Sequence, residues 1–124
     1  LAKSLQQIEA EIKREVTRLH KMKFGKGPGD TVVKITGNVI SIKLDKVLTP
    51  LEEAMLQLEE GKEIVERIRH ELIQDRMNEH MKKLEEVTGC LIENITHILR
   101  IEQQEFYIFL VLDCDVEDRL NQAI

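Results

Sequence analysis

Four histidines, two cysteines, two serines and one glycine-rich loop with a lysine are the groups from which this chain could build chemistry. His20, His70, His80 and His97 show no i, i+4 pair of the kind that holds a metal on one helix. His70 and His80 fall near one face of a shared helix, about 15 Å apart, too far to ligate one ion. His97 lies in an apolar, β-rich run and reads as a hydrogen-bonded structural histidine or an interface residue. Cys90 and Cys114 lack CxxC spacing. They read as two small buried hydrophobes in a reducing cytoplasm; a disulfide requires that their strands be neighbours. Ser4 is near a helix start and Ser41 is mid-strand, so neither sits on a nucleophile elbow. The expectation is no catalytic residue, no metal site, no cofactor and no enzyme.

The loop FGKGPGD, Phe24–Asp30, is the most suggestive segment. Exposed backbone N–H groups of glycines beside a lysine can cradle an anion. Phe24, Gly25, Lys26, Gly27 and Pro28 are therefore the candidate ligand-binding residues. The loop lacks Walker spacing, and it follows a helix and precedes a strand, the reverse of a P-loop. A helix stop followed by a tight turn explains the same residues without a ligand.

The elements around these groups follow from periodicity. Leu1, Leu5, Ile8, Ile12, Val16 and Leu19 recur every three or four residues, the stripe of an amphipathic helix ending near His20 or Met22. Thr31–Thr36 and Val39–Lys46 read as a hairpin closed by Gly37-Asn38. Thr49-Pro50-Leu51-Glu52 opens a second helix: Thr49 caps, Pro50 suits the first helical position, and Glu52 completes a capping box. Gly61 interrupts it. The stripe then resumes from Ile64 to Val87, giving one long bent helix or a short helix and a long one, stopped by Gly89. Its charged residues, among them Glu63, Glu66, Arg67, Arg69 and Glu79, read as a solvated face. Cys90–Ile101 is apolar-rich, but adjacent apolar pairs break its alternation, as a β-bulge or a doubly buried strand would. Phe106–Leu112 is a continuous apolar strand, and Val116–Ile124 a short helix or a frayed tail.

The order predicts a single α+β domain over residues 1–124: a four-stranded antiparallel sheet packed by an N-terminal helix and a long central helix. Phe106–Leu112 has no wet side, so with helices on one face only it leaves an apolar patch. Either the first helix covers that patch or a second copy does; closed two-fold pairing is favoured, making the chain a homodimer.

Bulk numbers exclude several classes. The chain has 124 residues, 42% hydrophobic and 33% charged, with a net charge of −5. Its lysines and arginines are interleaved with glutamate and aromatics are 3%, so nucleic acid is not an expected partner. No apolar run is long enough to span a bilayer, and the N-terminal segment lacks the apolar core of a signal peptide. A cytoplasmic location without direct membrane insertion is expected.

Five segments carry a family resemblance: LHKMKFGKGP (19–28), VLTPLEEAML (47–56), the Gly61 of LEEGKEIV, VTGC (87–90) and ITH (95–97). In their order and spacing, over nearly the whole chain, they resemble the bacterial MpsC-like family, named for a sodium-translocating membrane-potential-generating system. The family loop usually reads FGRGP, and Lys26 keeps the charge. The family often has a glycine shortly before LTP, where this chain has LDKV. The resemblance implies association with membrane proteins of a cation-coupled uptake system linked to inorganic carbon supply. It carries over no catalytic residue; Phe24, Gly25, Lys26, Gly27, Pro28, Thr49 and Pro50 are its recurrent positions. The expected role is a non-enzymatic accessory or interaction domain with a possible membrane-protein partner. The alternative is a regulatory module binding a small anionic metabolite or nucleotide at the loop.

Overall fold

The computed structural model describes residues 3–122. Helix α1 (Leu5–Phe24) starts where Ser4 and Gln7 close a capping box and stops where Gly25 takes a φ of 77°. That left-handed conformation is open to glycine at little cost and lets its N–H bond back to the Lys21 carbonyl. Ile8, Ile12, Val16 and Leu19 form the buried stripe of α1, as their spacing predicts.

Strands β1 (Asp30–Thr36) and β2 (Val39–Asp45) pair antiparallel around the two-residue turn Gly37-Asn38. Gly37 has a φ of 60°, the backbone that such hairpin turns require. Strand β3 (Ile92–Arg100) carries the expected bulge, between Ile92 and Asn94, and pairs with β4 (Glu105–Leu112). β4 also pairs with β2, so the sheet order is β1-β2-β4-β3. The most apolar strand is thus central. The edge of β1 is partly guarded: Glu9 of α1 accepts the Ile35 N–H at 2.9 Å.

The central helical stretch is three helices, not one or two. Helix α2 (Pro50–Met55) opens with the predicted Thr49–Glu52 capping box and Pro50 in its first turn. Helix α3 (Gly61–Gln74) follows directly on Glu60, whose φ is 63°. Gly61 is required there because a side chain would drive into the Met55 carbonyl. The second break, at Asp75-Arg76, separates α3 from α4 (Met77–Thr88), and Arg76 has a φ of 54°. No glycine or proline marks it. Instead Lys23, on α1, donates to the carbonyls of Leu72 at 2.6 Å and Asp75 at 2.8 Å, satisfying oxygens that the end of a helix leaves orphaned. His70 and His80 consequently lie on different helices. The C-terminal segment forms α5 (Val116–Gln122), anchored by its Val116 N–H on the Gly37 carbonyl.

The two cysteines do not remain free thiols. Cys90 before β3 and Cys114 after β4 have Cα atoms 5.6 Å apart and form a disulfide. Antiparallel pairing of their strands, which the sequence left open, brings them together.

The alternating residues Val33 and Ile35, Ile40, Ile42 and Leu44, and Phe106, Leu110 and Leu112 face the helices and form the core. The other side of the sheet has no helix among the described residues. It carries Val32, Val39, Ile98, Tyr107, Phe109 and Val111, the alternate positions of the same strands. The question of what covers β4 is therefore split: the chain's own helices cover one side and leave the other open.

Candidate functional site

Arg69, placed by its sequence on a solvated helix face, is 1% exposed. Its position is the reason: Val65, Arg69 and Ile73 recur every four residues along the inner stripe of α3, so the guanidinium is carried inward. Every edge of it is engaged. Nε and Nη2 donate to Glu52 Oε2 and Oε1 at 2.5 and 2.6 Å, the bidentate geometry that suits a planar fork. Nη2 also donates to the Val47 carbonyl at 2.6 Å. Nη1 donates to His20 Nε2 at 3.1 Å. The Phe24 ring covers the flat face, its centroid 4.0 Å from Cζ.

The partners fix the state of His20. Arginine only donates, so Nε2 must accept; the Lys26 carbonyl 2.7 Å from Nδ1 only accepts, so Nδ1 carries the proton. Burial pushes the imidazole down to about 4, and the Arg69 charge pushes the same way, with the Lys26 carbonyl opposing. For Glu52, burial alone would raise the carboxyl. Hydrogen bonds from Arg69 and Thr49 outweigh it and leave the group below its ordinary range.

Of the five candidate loop residues, Phe24 touches this cluster with its ring and Lys26 with its carbonyl. Phe24 stacks on Arg69, and its ring centroid is 4.8 Å from that of His20. Gly25 ends α1. Lys26 Nζ donates to the carbonyls of Leu48 at 3.0 Å and Lys46 at 3.3 Å, so its charge ties the loop to the chain leaving β2. Gly27 has open space around it, and Gly29 beyond Pro28 lies against Asp45 and Lys46, with its N–H on the Asp45 carbonyl. Glu52 of the LTPLE block therefore does more than cap α2: it joins the two sequence blocks through Arg69. The sequence reading missed Arg69 and His20 as members of this site. The visible signal was a charged residue inside an apolar stripe.

The cluster offers little reactivity. Both His20 nitrogens and both Glu52 oxygens are occupied, and no nucleophile adjoins them. The cavity in the core beneath α1, α3 and α4 is apolar and about 70 Å³, far below the size of a metabolite pocket. Cys90, Cys114 and Asp113 bring three ligand-type atoms within 4.8 Å of one another, but the sulfurs are spent on each other in the disulfide.

The helix-free sheet face has a different character. Ile98 is 50% exposed, Val32 44% and Val111 37%. Tyr107 and Phe109 lie parallel, with ring centroids 6.4 Å apart. One carboxylate gathers the polar side chains nearest the aromatic pair. Glu105 takes Lys43 at 3.1 Å, Arg100 at 3.1 Å and the Tyr107 hydroxyl at 3.2 Å. His97 points the other way, under α3, where its ring faces His70 and Phe106.

Comparison with known proteins gives two findings. Residues 4–114 match the family described as "Na+-translocating membrane potential-generating system (MpsC)". The uncharacterized protein YbcI of Bacillus subtilis is 24% identical over 124 residues, covering 100% of both chains. No solved structure matches the chain significantly. Among the described residues no helix is long and apolar enough to cross a membrane.

Proposed function

The chain belongs to the MpsC family, and on that premise we propose that it is a non-enzymatic accessory or interaction domain of a membrane cation system. It acts as a homodimer paired through the helix-free face of its sheet. The observation that carries this reading is that face. A half-buried aromatic pair and three exposed large aliphatic residues lie on it, beside Glu105, which pairs with both Lys43 and Arg100. Burying such a face against a second copy takes its apolar side chains out of water, and two-fold pairing is the commonest way to close it. The Arg69 cluster serves that surface at a distance: it locks α1, α2 and α3 so that the helices stay on the other side.

The alternative, an anion held by Phe24–Pro28, has less support, because Lys26 spends two of its donors on backbone carbonyls. Light scattering and sedimentation across dilution test the dimer. The wild-type chain is expected to be dimeric at micromolar concentration, and Phe109→Glu to be monomeric with an unchanged circular dichroism spectrum. A wild-type monomer refutes the pairing. A monomer that is stabilised against heat by phosphate or nucleotides, and loses that with Lys26→Ala, supports the alternative instead.

A further inference from the structure

His70 and His97 are far apart in sequence but face each other between α3 and β3. Their ring centroids are 5.3 Å apart and their planes 38° from parallel. Two imidazoles bound through nitrogen to one tetrahedral ion, at a metal–nitrogen distance of about 2.0–2.1 Å, place their ring centres about 5 Å apart. The observed separation of the two ring centres matches that value. Among the described residues no hydrogen bond occupies the nitrogens of either ring, in contrast to His20.

A third donor is at hand. Glu66 lies one turn before His70 on α3, the i, i+4 relation that puts two side chains on one helix face. Glu66, His70 and His97 line the same open pocket of about 270 Å³, walled by Ile73, Leu99 and Phe106. Glu66 is exposed, and its side chain lines the pocket that the two rings border. Arg69 also borders the pocket, but its charge is matched by Glu52.

We propose that His70, His97 and Glu66 form a site for a divalent transition-metal ion of the zinc class, with at least one position left to water. Imidazole donors select zinc, cobalt, nickel or copper over sodium or calcium, which prefer oxygen. The site is therefore distinct from any handling of sodium by the family's system. Its ion clips helix α3 to the edge strand β3. This assignment does not depend on the dimer.

The test is titration of the untagged full chain with Co²⁺, read by visible absorption, and with Zn²⁺, read by calorimetry. One ion per chain is expected. His70→Ala, at an exposed position, and His97→Gln each weaken binding about tenfold or more, and Glu66→Gln weakens it less. A Cys90→Ser/Cys114→Ser variant binds as the wild type does. Paramagnetic broadening by Co²⁺ centred on the His70 and His97 ring signals supports the site independently of any variant. No saturable binding at submillimolar metal overturns the proposal. So does binding that survives His70→Ala, or binding that disappears with the cysteines.

Discussion

Acidification from pH 7 to pH 5 should destabilise this protein through His20. In the unfolded chain its imidazole titrates near the ordinary 6.5, while in the fold it resists protonation down to about 4. Below pH 6.5 the unfolded chain takes up a proton that the folded chain refuses. Stability is therefore full above 6.5, falls as pH drops through that value, and stops falling from this source near 4. The slope approaches 1.36 kcal/mol per pH unit, so the two-unit drop removes about 2 kcal/mol, or about 1–2 once solvent at the ring edge is counted. The physical reason is burial first, and then that a second ring proton would sit on Nε2, against the Arg69 guanidinium that now donates to it. Urea unfolding at pH 7, 6 and 5 measures the loss. His20→Gln cannot titrate, so its stability should fall less over the same range, by that same 1–2 kcal/mol. His80 and His97, both also held low, contribute alike to both proteins and cancel in the difference. Parallel curves for the two proteins would refute the reasoning. So would a His20 ring signal that titrates near 6.5 in the folded wild type, a measurement that needs no variant.

Two further outcomes follow from the same packing. Arg69→Met leaves Glu52 as a buried carboxylate without its partner and should cost about 3–5 kcal/mol in urea unfolding, part of it recovered by adding Glu52→Gln; a loss below 1 kcal/mol would show that the cluster is not a structural lock. Gly61→Ala must push the α2–α3 junction apart to clear the Met55 carbonyl, and a destabilisation of about 1–3 kcal/mol is expected in thermal unfolding.

Much of the fold was legible along the chain because its signals are local. The Ile8–Leu19 stripe, the Gly37-Asn38 turn, the Thr49–Glu52 box and the bulged run before β4 each state their conformation within a few residues. The break at Asp75-Arg76 was not legible, because Lys23 of another helix supplies the hydrogen bonds that end α3. The site was half legible. Phe24–Pro28 and Thr49–Glu52 stood out as motifs, but nothing adjacent to either names Arg69 as the group that joins them.

The sequence by itself determined which segments coil and which extend, since backbone sterics, capping and hydrophobic period act over one or two turns. Only the tertiary structure decided which charges are buried, which cysteines meet and which side of the sheet stays open. Those outcomes depend on strand order and helix placement: contacts such as Arg69–Glu52, Cys90–Cys114 and His70–His97 exist only once distant segments pack.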